Sequence, residues 1–284
     1  MNTTTLKIIC EDRKGLISLI TSFIFNNNGN IVNLDQYTDT GGKMFFMRAE
    51  WDSEGFKLSE DDIRSNLENI IKENGIVGKY DIFYSAKKPR LAIFVSKYNH
   101  CLYDLLLKHK EGELNCEIPL IVSNHSDLKY IAEYFGVDFF YIPLTEENRF
   151  AQENEEIGLL KEYNIDLIVL ARYMQILSSN IVALYKDRII NVHHSFLPAF
   201  KGSKPYHQAF QIGVKIIGAT SHFVTEKLDQ GPIISQDVVH ITHRDDVKQM
   251  IIKGKDIEKK VLLQAVKLYI ENRIFICNNK TIIL

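Results

Sequence analysis

The densest run of chemistry-bearing side chains in the sequence is Asn191-Val192-His193-His194-Ser195-Phe196-Leu197-Pro198. It sits where an apolar, strand-like stretch ends. In open α/β sheets ligands bind outside the carboxyl ends of strands, so the position itself favours a site. On a strand Asn191 and His193 share one face, roughly 6–7 Å apart. An amide donor and an imidazole, a group suited to acid–base work near neutrality, would then address one pocket. The same run is equally compatible with a helix cap or a satisfied polar cluster. A second run, His222-Phe223-Val224-Thr225-Glu226-Lys227-Leu228-Asp229-Gln230-Gly231-Pro232, carries a strand into a loop with an acid just before Gly-Pro. Taken alone, Asp229 reads as a turn former and His222 as a structural histidine. His240-Ile241-Thr242-His243 lacks the Cys or carboxylate that would complete a metal shell, so no metal site is expected.

Composition narrows the classes. The chain of 284 residues carries Lys+Arg 34 against Asp+Glu 36, a net charge of -2, with 45% hydrophobic residues. That apolar share argues against disorder. The charge balance offers no basic excess for nucleic acid. No apolar run approaches the roughly 20 residues that span a bilayer. Met1-Asn2-Thr3-Thr4-Thr5 lacks a signal-peptide layout. Cys10, Cys101, Cys116 and Cys277 have neither disulfide-like nor metal-like spacing. Together these predict a cytoplasmic enzyme with reduced thiols.

The elements that must hold the two polar runs follow from periodicity. Leu6 to Cys10 reads as a strand, and Leu16, Ile17, Leu19, Ile20, Phe23 and Ile24 as a helix stopped by Asn26-Asn27-Asn28-Gly29-Asn30. Ile31 to Tyr37 and Lys43 to Trp51 read as strands joined through Thr40-Gly41-Gly42. Ile63, Leu67, Ile70 and Ile71 mark a helix, and Tyr80 to Tyr84 a strand. The order is βαββαβ, a ferredoxin-like plan, over residues 1–85. Residues 86–90, Ala-Lys-Lys-Pro-Arg, predict a linker. Across 91–284 the rhythm changes to strands at Leu91 to Val95, Ile118 to Val122, Val137 to Ile142, Ile165 to Leu170 and Arg188 to His193, separated by helix-length segments. This implies a Rossmann-like, mostly parallel sheet covered on both faces. Ile216 to Val224 and Ile233 to Val239 extend the sheet in another direction, and Ile257 to Tyr269 carries a long amphipathic helix. The fold class is α/β with a smaller unit in front.

The two polar runs together resemble the 10-formyltetrahydrofolate-dependent formyltransferase family. Asn191, His193 and Asp229 match its Asn/His/Asp set. Ser195-Phe196-Leu197-Pro198-Ala199-Phe200-Lys201-Gly202 continues its signature, and His222 stands ahead of Asp229 as the family has it. Leu170-Ala171-Arg172-Tyr173-Met174-Gln175-Ile176-Leu177-Ser178 resembles the strand and loop that clasp the pterin. Residues 1–85 resemble an ACT domain, with Asp12-Arg13-Lys14-Gly15-Leu16 at the effector loop. An ACT domain before this catalytic domain is similar to the arrangement of the family's hydrolytic members.

The resemblance implies hydrolysis of 10-formyltetrahydrofolate by water to tetrahydrofolate and formate, which would feed purine biosynthesis and balance one-carbon pools. It implies no cofactor beyond the folate substrate and no metal. Folate selection falls to Met174, Gln175, Ile176, Leu177, Val224, Thr225 and Glu226, with His222 beside them. His194, where the transferases commonly have proline, either approaches the attacking water or packs behind His193. Asp229 is expected to orient and deprotonate water or keep His193 charged, His193 to act on the formyl oxygen or on N10, and Asn191 to donate to the oxyanion. Asp12, Gly15 and Leu16 are the expected contacts of an amino-acid effector, in a regulated homo-oligomer. The alternative is a formyltransferase with an amine acceptor. Against it, the loop that is Gly-rich in members acting on phosphorylated amines reads Phe94-Val95-Ser96-Lys97-Tyr98-Asn99-His100-Cys101 here, with no glycine to let backbone N–H groups reach a phosphate. A methionyl-tRNA acceptor is disfavoured by the charge balance. Glu147-Asn148-Arg149 resembles a loop that usually carries lysine at the position of Arg149, either to meet the glutamyl tail or simply to start a helix.

Overall fold

The computed structural model describes residues 2–145, 148–199 and 205–284. Phe200, Lys201 and Gly202 of the signature, and Glu147, therefore lie outside the described residues. The chain forms two compact units. One runs to Lys88 and takes in Asn272–Phe275 and Ile282–Leu284; the other comprises Pro89–Glu271 and Ile276–Thr281. The sequence alone predicts a single boundary at 86–90 with everything from 91 onward in one domain, whereas the first unit also takes in residues from the far end of the sequence.

The first unit runs β1 (Thr3–Glu11), α1 (Leu16–Asn26), β2 (Asn30–Asp39), β3 (Met44–Asp52), α2 (Glu60–Glu73) and β4 (Gly78–Tyr84). Its four strands pair antiparallel in the order β2-β3-β1-β4, the ferredoxin-like arrangement. Leu6, Ile8 and Cys10 alternate onto the buried face of β1 and meet Leu16, Ile20, Phe23 and Ile24 of α1. Ser59 caps α2 by accepting from the Asp62 amide. Asp12 and Gly15 lie exposed between β1 and α1, whereas Leu16 points into the core at 4% exposure. The strand residue Phe275 sets its ring 6.0 Å from that of Phe46, edge to face. Lys7 donates to the Ile274 carbonyl at 2.6 Å, and burial pushes its ammonium down to about 8.

The second unit begins with β5 (Arg90–Val95), α3 (His100–Lys110), β6 (Glu117–Ser123), α4 (Lys129–Phe135) and β7 (Asp138–Tyr141). It continues with α5 (Arg149–Glu162), β8 (Leu167–Leu170), α6 (Ser179–Leu184) and β9 (Ile189–His193). After α7 (Pro205–Ile212) come β10 (Ile216–Phe223), β11 (Ile233–His240) and α8 (Val247–Ile270), then a small hairpin of β12 (Ile274–Cys277) and β13 (Lys280–Ile283) shared between the units. The seven-stranded sheet has the order β11-β10-β9-β8-β5-β6-β7. The pairs from β7 to β9 are parallel, and β10 and β11 run antiparallel at one end. Leu91 to Val95 and all of β8 are buried, as strands covered on both faces must be. The order reverses between β5 and β8, which places the crevice of the sheet at their carboxyl ends. Helix α8 starts ten positions before the predicted Ile257, at a capping box in which Asp246 accepts from the Gln249 amide and Gln249 answers. Its first turns pack on Met250 and Gly254, a stripe too sparse in large apolar residues to show as periodicity.

Candidate active site

Strand pairing brings the two polar runs together. Asn191 and His193 lie two apart on β9, and β10 places His222 directly opposite Asn191 and Thr220 opposite His193. Facing residues on adjacent strands share a side of the sheet, so the amide and both imidazoles gather at one place. Asn191 Nδ2 lies 3.3 Å from His222 Nε2. The other ring nitrogen of His222, Nδ1, is 2.9 Å from the Phe223 carbonyl. A carbonyl only accepts, so the proton is on Nδ1, and in the neutral ring Nε2 accepts from Asn191. One Asn191 N–H is thereby used and one is left.

Asp229 closes the group from the loop after β10. Its Oδ2 is 3.4 Å from His193 Nδ1 and its Oδ1 is 3.7 Å from His222 Nε2. The loop reaches this position by two backbone devices. Asp229 adopts a left-handed φ of 54°, which Asp tolerates better than most residues. Gly231 approaches so closely that a Cβ would fall 1.8 Å from the Phe223 carbonyl oxygen, so only glycine fits. Burial pushes His193 below the ordinary imidazole range, partly opposed by the Asp229 charge. Burial does the same to His222, against the Phe223 carbonyl and Asp229. Both rings are thus neutral at pH 7. With the carboxylate favouring a proton on His193 Nδ1, the basic lone pair sits on Nε2, which is buried with no hydrogen-bond partner among the described residues.

The segment after His193 is pinned by Thr220. Its hydroxyl donates to the Ser195 carbonyl at 2.9 Å and accepts from the Leu197 amide at 3.0 Å. Gln236 Nε2 donates to the same oxygen at 3.0 Å. His194 turns its ring to within 5.2 Å of His193 and 6.1 Å of Tyr206. Burial, with the Arg172 charge, drives its imidazole down to about 3.

The expected pterin loop lies at the carboxyl end of β8. Gln175, Ile176 and Leu177 line a small cleft with Leu144, Arg149, Glu153, Glu156 and Tyr173. Three bonds hold the loop open: the Met174 amide donates to Ser96 Oγ at 2.9 Å, the Arg149 guanidinium to the Ile176 carbonyl, and Ser178 Oγ to Glu153. Met174 and Ile176 are exposed. Val224 packs on the same apolar cluster as Leu177. Thr225 Oγ1 donates to the Lys227 carbonyl at 3.1 Å, and Glu226 is exposed. Arg149 is the first residue of α5, so it both starts a helix and fixes the loop. Glu156, which the sequence reading passed over, is buried at 2% exposure and accepts from Tyr173 Oη at 2.9 Å. Burial pushes its carboxyl up to about 7. Its place in a mostly polar helix gave no signal.

Among the described residues one group has the donor types and closeness of a metal site, His100, Cys101 and Glu258. The Arg172 guanidinium beside it, 3.5 Å from Glu258, already supplies a cation. His240 and His243 are not part of any such group among the described residues.

The sheet is that of a known class of proteins. The formyl transferase family model matches residues 89–266, and the chain belongs to that family. Along its whole length the chain is similar to formyltetrahydrofolate deformylases. That of Synechocystis sp. is 49% identical over 281 residues, covering 99% of this chain and 98% of the relative. A formyltetrahydrofolate deformylase crystal structure from Pseudomonas syringae pv. tomato superposes with a TM-score of 0.97 at 39% identity, covering 100% of this chain and 95% of that one. A glycinamide ribonucleotide transformylase 1 from Symbiobacterium toebii matches with a TM-score of 0.66 at 28% identity, over 72% of this chain and 98% of that one.

Proposed function

We propose that the chain hydrolyses 10-formyltetrahydrofolate to tetrahydrofolate and formate, with the pterin in the cleft beside Gln175–Leu177 and the formyl group against Asn191 and His193. The observation that carries this is His193 Nε2, buried and without a partner among the described residues while Asp229 backs the opposite ring nitrogen. A neutral imidazole so oriented is a base. It takes a proton from water as the water oxygen attacks the formyl carbon, and Asp229 steadies the imidazolium that forms. The remaining Asn191 N–H meets the negative charge appearing on the formyl oxygen. His193 then returns the proton to N10, the C–N10 bond breaks, and formate and tetrahydrofolate leave. Water is favoured over a phosphorylated amine because Ser96 has no hydroxyl to offer a phosphate. Its Oγ donates to Asn124 Oδ1 at 2.7 Å and accepts from the Met174 amide. The formate released is a one-carbon unit for purine biosynthesis. No step requires a cofactor or a metal.

The test is formate release from 10-formyltetrahydrofolate with no amine added. The wild type should turn over, and Asp229→Asn should lose on the order of 10²–10⁴ in kcat with folate binding kept. Full activity in Asp229→Asn would remove the acid from the mechanism.

The first unit takes an ACT-type regulatory role in this reading, in a homo-oligomer. Its ferredoxin-like sheet and the exposed Asp12–Gly15 turn support an amino-acid effector there, held by Asp12 and by backbone groups, since the Leu16 side chain is committed to the core. Formate release measured with amino acids added one at a time would sink this role if none changed the rate.

A further inference from the structure

A second imidazole–carboxylate cluster lies at the crevice between β5 and β8. Arg172 follows β8, its carbonyl accepts from the Ser96 amide that follows β5, and it holds a left-handed φ of 64° at 8% exposure. Its guanidinium stacks 4.8 Å over the Tyr98 ring and comes within 3.5 Å of Glu258 Oε2. Glu258, on α8 and 1% exposed, is bonded at both oxygens: His100 Nε2 to Oε2 at 2.8 Å and Tyr206 Oη to Oε1 at 2.8 Å. Tyr206 reaches it only because Gly254 stands one turn earlier on α8, where a Cβ would fall 2.0 Å from the phenol oxygen. His100 opens α3. A helix start after the first strand of such a sheet is a ready site for a substrate's anionic group. Here the side chains around it belong to the chain itself, a carboxylate with a guanidinium to balance it.

We propose that Arg172, Glu258, Tyr206, His100 and Tyr98 form a polar plug that occupies the approach of an amine-bearing second substrate to the formyl carbon, leaving water as the acceptor. The proposal rests on the reading of the chain as a deformylase and names what sets its acceptor. Three further observations support it. The plug touches the catalytic group through His194, whose ring bridges His193 and Tyr206. The charges of Arg172 and Glu258 are felt at both His193 and His194. And the sheet is shared with a protein named as a glycinamide ribonucleotide transformylase, so the architecture itself does not exclude a second substrate. Opening the plug should admit an amine. The amine nitrogen would bond to the formyl carbon, the C–N10 bond would break, and an amine proton would end on N10.

The experiment uses the full chain with Arg172→Gly and Glu258→Gln combined. Glycine suits the left-handed backbone at 172, and the amide avoids an unpaired buried carboxylate. Glycinamide is the probe, and tetrahydrofolate, formate and formylglycinamide are quantified together. The wild type should give one formate per tetrahydrofolate with or without glycinamide. The double variant should show a formate deficit matched by formylglycinamide, its product ratio raised at least about tenfold. A folded double variant with the wild-type ratio overturns the plug. Should it fail to fold, Tyr98→Ala, which removes only a half-exposed ring, carries the test, and an unchanged ratio there is equally decisive. Failure of the deformylase reading itself looks different, because wild type would then release no formate at all.

Discussion

Among the described residues the second unit holds three imidazole–carboxylate pairs, and two of them are opposites. His100 and Glu258 are 2.8 Å apart with side chains 10% and 2% exposed, and Glu258 has protein partners on both oxygens. His193 and Asp229 are 3.4 Å apart, the carboxylate is 14% exposed, and His193 Nε2 has no partner among the described residues. For Glu258, burial alone would raise the carboxyl; the bonds and charges of His100, Arg172 and Tyr206 reverse this and hold it below the usual range. A satisfied pair is bound into the structure. An unsatisfied one keeps a lone pair for the substrate, and the desolvation that leaves it unsatisfied is what makes it reactive. Residue type alone does not separate the two; the count of partners does.

This contrast sharpens into three tests. The largest effect is expected at the satisfied pair. Glu258→Ala strands the Arg172 guanidinium in a dry site and should destabilise the chain by about 3–5 kcal/mol, read from urea unfolding. Stability near wild type would show the cluster to be wetter than its burial suggests. At the unsatisfied pair the cost should fall on turnover instead. Asn191→Ala should lower kcat by on the order of 10²–10³ with little change in unfolding midpoint, and a change confined to KM would take the amide off the oxyanion. The smallest effect concerns the bridge, His194. Its folded imidazole titrates near 3 against an ordinary 6.5. Below the ordinary value the unfolded chain binds a proton that the folded state refuses, so stability falls as pH drops through that window. His194→Gln should flatten the slope between about pH 6 and pH 5 by up to about 1.4 kcal/mol per pH unit. An unchanged slope would mean the ring takes up its proton without unfolding.

The two pairs also differ in how far they could be read in advance. Asn191 and His193 stand out as polar types at the end of a strand visible as a Val/Ile/Leu run, whereas Asp229 by itself reads as a turn former and joins them only through the family resemblance. The loop Met174–Leu177 is likewise legible only through that resemblance. Glu258 was invisible. It lies in Asp256-Ile257-Glu258-Lys259-Lys260, which reads as an ordinary solvated helix face, and its burial is created by Tyr206 crossing Gly254, a contact between distant parts of the chain. Arg172 fell inside a quoted motif, yet nothing local announces a buried guanidinium in a left-handed turn. The fold was legible wherever an element buried a periodic face. The start of α8 was not, since its first turns carry too few large apolar residues to show a period, nor was the short β12, which depends on partners far away in sequence.

That last strand bears on the life of the molecule. Ile274 and Phe275 belong to the unit that begins at the other end of the sequence, through the Lys7 bond and the Phe46 ring. The first unit is therefore not one continuous stretch of sequence, and a cut in the Lys87-Lys88 stretch would leave its upstream piece without the strand that supplies Ile274 and Phe275.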